Sequence, residues 1–332
     1  MLERDHLSEL IDKKNLLAFS AGVDSTALFF LLIKNKIPFD IAIVNYNVRK
    51  QSIEELKYAK ELASTHNLKC FVHTAPKIEK NFESTARKIR YDFFEKLIEE
   101  NSYENLLTAH HLGDRFEWML MQFCKGAGCA EIAGMTRVSQ RDNYTLVRPL
   151  LHLDKKELLV YLKTNQHKYF VDESNLDEDI RRNSFRHNYS MPLLDSYLSG
   201  IKKSFDYLDE DRDSLIPKLK IKTIDNFAYF ECSQNKRADI FMIDKYLKSQ
   251  LYMMSASERE QLKEQVTLVA GRKFVINRTK NYIFIVPYIQ NIVIPKEFKE
   301  QMRILKIEPK LRPYLYKNEH IFFKVKELFS TI

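Results

Sequence analysis

The stretch LLAFSAGVDSTALFFLL, Leu16 to Leu32, decides how the front of this 332-residue chain is built. Leu16 to Phe19 are apolar and predict a short buried strand. Ser20 to Thr26 are small and polar, and from Ala27 the apolar character returns as a helix through Leu32. Where a strand passes into a helix through small residues, successive backbone N–H groups and the positive helix end converge, and an anion is stabilised there. Ser20, Ser25 and Thr26 add hydroxyl donors. No lysine follows at the spacing used by loops that transfer a terminal phosphate. Asp24 instead sets a carboxylate beside the anion, an arrangement that makes sense if it holds Mg²⁺. An ordinary polar turn with a helix cap is the plainer alternative, and the turn alone leaves both open.

Outward from this turn, short apolar runs alternate with helical patterns. Ile41 to Val44 predict the next strand, and Ser52 with Glu55 has the spacing of a capping box opening a helix. Cys70 to Val72 predict a third strand, followed by a helix over about 82–100. Leu106 to Ala109 predict a fourth strand, followed by a helix from Asp114 to about Cys124. Such alternation implies a parallel, Rossmann-like sheet covered on both faces, with ligands bound beyond the carboxyl ends of its strands. Asp154 and Glu157 form a second capping box, for a helix to about Gln166. A helical connector over 193–216 ends near Pro217. Beyond it, Phe227 to Glu231 and the pair KFVINR/YIFIV around Thr279 to Asn281 predict strands and a hairpin in a smaller α+β domain. The division expected is 1–195, a linker over 196–216, and 217–332.

Charge is divided as unevenly as structure. Residues 201–332 hold 25 Lys+Arg against 17 Asp+Glu, whereas the first 200 hold 28 of each, so the net charge of +8 lies wholly in the back part. That balance suits an appended domain holding a polyanion. The start, MLERDHLSEL, has no apolar leader-like core, and no run is long enough to span a bilayer, so no membrane partner is expected. Four cysteines, Cys70, Cys124, Cys129 and Cys232, form no C-x-x-C pair and read as reduced thiols of a cytoplasmic protein.

Further segments carry candidate chemistry. VNYNVR, Val44 to Arg49, follows the second strand. In ESTARKIRYDFF, Glu83, Arg87 and Arg90 recur on one helical face, where two arginines suit a phosphate clamp and a solvated ion-pair face is the alternative. TAHHLGDRFEW, Thr108 to Trp118, leaves a strand end and enters a helix with His110 and Asp114 at i, i+4. RPLL, Arg148 to Leu151, precedes a polar loop and the basic cluster Arg181, Arg182 and Arg186. That cluster reads either as a phosphate contact or as a partner for the acidic run Asp177, Glu178 and Asp179.

The turn Ser20 to Ser25 resembles the S-G-G-x-D-S PP-loop of ATP pyrophosphatases, with Ala21 in place of a glycine. An alanine fits there if its φ stays below zero. Taken in order, residues 14–195 are similar to the tRNA(Ile)-lysidine synthases. That resemblance implies a PP-loop ATPase fold and a C–N-bond-forming ligase. It implies ATP bound by Ser20, Ala21, Gly22, Val23, Asp24 and Ser25, with Mg²⁺ held by Asp24 and Asp114. Arg90, His110 and Arg182 would serve adenylation of the wobble cytidine of an isoleucine tRNA with a CAU anticodon, and free L-lysine would then displace AMP. A homodimer is left open. The family's H-G-L-R appears here as Tyr46 to Arg49. Its H-x-x-D-D-x-x-E-T appears with Gly113 at the first Asp and Trp118 at the Thr. Rival readings are a thiolase with the same loop, which typically carries C-x-x-C pairs, a small-metabolite ligase, which needs a glutamine-hydrolysing module, and a nucleotide-binding protein that has lost catalysis.

Overall fold

The computed structural model describes residues 1–2, 4–47, 51–171, 181–216, 219–233 and 235–330. It divides into two compact units, Met1–Glu210 and Asp211–Ile332. The first unit contains α1 (Arg4–Ile11), β1 (Asn15–Ala18), α2 (Val23–Lys34), β2 (Phe39–Asn45), α3 (Gln51–Thr65) and β3 (Cys70–Thr74). It continues through α4 (Phe82–Asn101), β4 (Asn105–Leu107), α5 (Leu112–Phe123), α6 (Cys129–Ile132), β5 (Val138–Gln140), β6 (Thr145–Val147), α7 (Lys155–Thr164) and α8 (Arg181–Phe185). A π-helical turn, Arg186–Ser190, then leads into α9 (Met191–Leu215), within which the dividing line falls.

The sheet order is β3-β2-β1-β4-β6-β5. Every pairing is parallel except that of the edge strand β5 with β6, so the parallel sheet is closed at one edge by an antiparallel strand. Successive strand residues face opposite sides, and both sides are apolar. Leu17, Ile41, Leu107 and Val147 pack with α2, α3 and α7, while Leu16, Ala42, Leu106 and Leu146 pack with Phe94, Leu97 and Ile98 of α4. That explains the unbroken apolar runs in the sequence. The chain goes from β1 to β2 on one side and from β3 to β4 on the other side of β1. This order puts the topological switch, and so the ligand crevice of an open α/β sheet, between the ends of β1 and β4.

Two capping expectations turn out differently. Asp154 and Glu157 form their box at the start of α7, with the Asp154 N–H donating to Glu157 at 2.7 Å. Helix α3, however, begins at Gln51, which puts Ser52 inside its first turn. The Gln51 side chain donates to Glu55 at 2.9 Å instead. Helix α5 is seated on α9 through Leu112, Phe116, Leu194 and Phe205. Arg115 locks it there, donating to Asp209 and to the Ala133 carbonyl while its guanidinium lies over the Phe205 ring, 4.3 Å from the centroid.

The second unit contains β7 (Lys222–Ile224), β8 (Phe227–Glu231), α10 (Lys236–Ser249), α11 (Ala256–Glu264), β9 (Thr267–Ala270), β10 (Phe274–Arg278), β11 (Tyr282–Pro287), α12 (Lys296–Ile304), α13 (Arg312–Lys317) and α14 (Glu319–Ser330). Its sheet is antiparallel throughout, in the order β7-β8-β11-β10-β9. Helices α10 and α11 cover one face through Ile240, Leu247 and Leu262, and α12 to α14 cover the other through Met302, Leu315 and Phe322. No helix among the described residues is long and apolar enough to cross a membrane.

Candidate active site

The loop after β1 forms the floor of a cleft beyond the ends of β1, β2 and β4. Gly22 is the N-cap of α2 and makes no side-chain capping bond. The first intrahelical bond is Thr26 N–H to the Gly22 carbonyl at 3.0 Å, so the N–H groups of Val23, Asp24 and Ser25 have no helical acceptor and point out of the helix start. The Ser25 hydroxyl accepts the Ser20 N–H at 3.2 Å and lies 3.0 Å from the Ser20 hydroxyl, which ties the two ends of the loop together.

Ala21 does not keep a negative φ. Its φ is +60°, in the left-handed region that costs an alanine roughly 1–2 kcal/mol. The conformation is imposed from outside, because the Phe170 N–H donates to the Ala21 carbonyl at 3.0 Å and pairs this strand end with the segment after α7. The Ala21 and Val23 side chains are buried in the core, so these two, like Gly22, can serve a ligand through their backbone alone. Ser20, Gly22, Asp24 and Ser25 line the cleft itself.

Across from the loop stand Arg87, Arg90 and Tyr91 of α4, with Tyr46 and His110 at the strand ends. Thus the i, i+3 spacing of the two arginines does place both guanidinium groups on the cleft. Arg87 also lies over the Tyr91 ring, 4.8 Å from its centroid. Tyr46, a departure from the family pattern, donates its hydroxyl to the Ala86 carbonyl at 2.9 Å and so fastens α4 beside β2. Arg49 lies outside the described residues.

His110 is enclosed by the cleft wall, and its Nδ1 is 2.9 Å from the Thr108 hydroxyl. Burial pushes its pKa down to about 4; Arg148, Arg182 and Arg87 push the same way, against the pull of Asp114. At neutral pH it is therefore an uncharged hydrogen-bonding group rather than a cation.

His111 was not named as a site residue from the sequence, yet its ring lies near both expected metal carboxylates. It is the N-cap of α5 and shares a capping box with Asp114. Its Nδ1 accepts the Gly113 N–H at 3.0 Å, which leaves the proton on Nε2. Nε2 lies 3.8 Å from Asp24 Oδ2 and 3.6 Å from Asp114 Oδ2. Gly113 makes this possible: a Cβ there would come within 2.7 Å of the His111 ring. The family's first Asp is thus absent at the position where the imidazole lies.

Asp114 itself faces an ion cluster adjoining the cleft. Burial opposes its ionisation, but His111, His110 and Arg182 outweigh it and hold the carboxyl well below its ordinary range. Its Oδ1 is 3.3 Å from Arg182 and 3.6 Å from Arg186. Glu117, 1% exposed, receives both arginines, Arg182 on one oxygen and Arg186 on the other at 2.9 Å. Arg182 reaches Glu83 as well, at 4.0 Å. Hence the described arginines of the basic cluster pair with α5; the acidic run 177–179 lies outside the described residues, as does the Arg181 side chain. Glu117 is a second omission from the sequence reading. Its signal was present, since it is three residues from Asp114 on one helical face.

Comparison with known proteins agrees with the fold. A PP-loop domain model matches residues 3–193. The tRNA(Ile)-lysidine synthase of Helicobacter pylori strain 26695 is 44% identical over 315 residues, covering 94% of this chain and 92% of that protein. The chain belongs to the tRNA(Ile)-lysidine synthase family. Proteins of the same name from Wolinella succinogenes and Campylobacter jejuni strain RM1221 are each 44% identical, the latter covering 95% of this chain and 97% of its own length. Among solved structures, a U34-tRNA thiolase of Methanococcus maripaludis with its [4Fe-4S] cluster covers 66% of this synthase-family chain and 78% of its own, at a TM-score of 0.51 and 16% identity. That likeness shows the shared fold alone. The Helicobacter and Campylobacter lysidine synthases cover 94–95% of the chain, against 66% for the thiolase.

Proposed function

We propose that this chain uses ATP to adenylate the C2 oxygen of the wobble cytidine in the CAU anticodon of an isoleucine tRNA, and then lets free L-lysine displace AMP. In the first step the cytosine oxygen attacks the α-phosphorus and the bond to pyrophosphate breaks. In the second, the lysine ε-amine attacks C2, the C2–O bond breaks, AMP leaves with the oxygen, and the amine loses a proton. The product is lysidine, and the enzyme is a C–N-bond-forming ligase.

Asp24 is the observation that carries this chemistry. Its carboxylate opens α2 at the phosphate-binding turn, faces Arg87 and Arg90, and has Oδ1 buried without a hydrogen-bond partner. A buried orphan oxygen is costly unless a ligand satisfies it. Among the described residues no group of three or more His, Cys, Asp or Glu is spaced to cage a metal ion. Mg²⁺ fits nonetheless, because it needs one or two carboxylates and takes its other ligands from phosphates and water. Asp24 and Asp114, each within 4 Å of the His111 ring, are the pair we assign to it. When bound, Mg²⁺ neutralises charge on the departing pyrophosphate.

The remaining roles belong to the chain's own groups. The loop N–H groups and the Ser20 and Ser25 hydroxyls hold the phosphates, and Arg87 and Arg90 stabilise the negative charge that grows on the leaving group. Neutral His110 orients the cytosine oxygen or the α-phosphate by hydrogen bonding. Arg182, held beside Asp114 by Glu117, supplies a further cation at the mouth of the site. The region 217–332 is assigned to tRNA, since the positive excess lies in the last 132 residues, with 1–195 the adenylating part and 196–216 the linker. The test is mass analysis of nucleosides from isoleucine tRNA incubated with the chain, ATP and lysine. Lysidine with AMP and pyrophosphate is expected; ADP, a thiolated base or unchanged cytidine overturns the reading.

A further inference from the structure

Trp118 is the chain's single tryptophan and stands where the family pattern has a threonine. Its side chain is 46% exposed. On α5 the residues Leu112 and Phe116 turn inward against α9. Asp114, Glu117 and Trp118, at i, i+3 and i+4, share the opposite face. That is the face on which Asp114 and Glu117 hold Arg182 and Arg186. One helical turn, roughly 5–6 Å along the axis, therefore separates Trp118 from Asp114, whose Oδ2 lies 3.6 Å from the His111 ring.

The ring is also seated. Gly134 has φ +66°, and a Cβ there would come within 2.8 Å of the Trp118 indole. A bare stretch of backbone thus supports the indole, while nearly half of the side chain stays open to solvent. A lone exposed tryptophan needs no explanation by itself. A supported indole with two arginines on the same helical face, one turn from the reacting groups, has the make-up of a nucleobase platform: an aromatic plane for stacking and cations for the backbone.

Resting on the lysidine synthase reading, we propose that Trp118 is the stacking platform for an anticodon-loop base next to the cytidine that is modified. To reach the cleft that cytidine must leave its stack, and its neighbours lose a stacking partner. The indole restores one. Stacking of this kind is worth roughly 1–3 kcal/mol per base, so Trp118 acts on RNA positioning rather than on the chemical step.

Because no other tryptophan contributes, the fluorescence of the full chain reports on this one ring. Titration with the isolated anticodon stem–loop of isoleucine tRNA should quench it, with the same midpoint as RNA binding followed by anisotropy of a labelled stem–loop. Trp118→Ala should raise the KM for tRNA by roughly 5- to 100-fold, the loss carried by KM rather than kcat, with ATP affinity in the absence of RNA preserved. Trp118→Phe should recover most of the loss. Anisotropy that reports binding while the fluorescence stays constant would overturn the proposal, as would a wild-type KM in Trp118→Ala. Failure of the unaltered chain to bind or modify the tRNA at all would remove the lysidine synthase reading and this proposal with it.

Discussion

The two ends of the parallel sheet in the first unit treat their buried polar atoms in opposite ways. At the amino ends of β1 and β4, the Asn15 amide donates to the carbonyls of Leu10, Lys13 and Pro38, and its oxygen accepts from Asn105. Every hydrogen-bonding group of that side chain is used within the fold. At the carboxyl ends of the same strands, Asp24 Oδ1 is buried with no partner in a cleft that Arg87 and Arg90 of α4 also line, and Arg182 pairs with Asp114 of α5 nearby. One end is closed chemistry, and the other is finished by something that binds. At this end the unsatisfied carboxylate oxygen of Asp24 lies in the cleft itself, beside the phosphate-binding turn. In the second unit, buried Asp244 has both carboxylate oxygens matched, by Lys248 and by Arg259.

The largest expected effect comes from the open end. Asp24→Asn should lower lysidine formation by roughly 10²–10³-fold, the usual cost of losing one group that stabilises transition-state charge. Its unfolding free energy should stay within about 1 kcal/mol of the unaltered chain, because no hydrogen bond of the fold depends on Oδ1. A large loss of stability with activity intact would reverse the assignment of the two ends.

Next comes a pH effect at the same end. His110 has its pKa at about 4 in the fold, against an ordinary value of 6.5. Between these values the unfolded chain binds the extra proton, so stability falls as pH drops through that window and is fully present above about 6.5. The difference amounts to about 3 kcal/mol. Denaturant titrations at pH 7 and pH 4 should show that loss in the unaltered chain and little of it in His110→Gln. Parallel losses in both would mean that burial does not hold this imidazole neutral. The depressed carboxyl of Asp114 adds its own loss only below its ordinary range, so the two effects separate on the pH axis.

At the closed end the signs exchange. Asn15→Ala removes three hydrogen bonds to backbone carbonyls and one of the two made by the Asn105 amide, and it should cost about 2–3 kcal/mol of stability. Activity per folded molecule should stay within a few-fold, read as lysidine formation normalised to the folded fraction. A selective loss of turnover in that variant would mean that the two ends are coupled.

Local features were the ones legible in the sequence. The strand–turn–helix around Gly22, the capping box at Asp154 and the hairpin from Phe274 to Pro287 each lie within a few residues of their own signals. What escaped depends on distance or on very short elements. Glu117 meets Arg182 and Arg186 across 65 and 69 positions, and nothing in the spacing of either segment announces the other. The three residues of β5 are too few to show a period, so the antiparallel edge strand had no signal. His111 was overlooked because a histidine is an uncommon N-cap, and its place between Asp24 and Asp114 depends on the missing side chain at Gly113.

Ala21 gives the smallest and most discriminating effect. Its left-handed backbone is a conformation that glycine adopts without strain. Ala21→Gly should therefore relieve roughly 1 kcal/mol. The same change empties a fully buried methyl site and makes the unfolded chain more flexible, which together cost about as much. The net change in stability should be under about 1 kcal/mol, and lysidine formation should move by no more than a few-fold, because the Phe170 N–H bond to the residue 21 carbonyl survives and keeps the loop in place. A gain in activity of tenfold or more would show that the loop of this chain is held back by its alanine, and that the bond from Phe170 is too weak to impose the curve on its own.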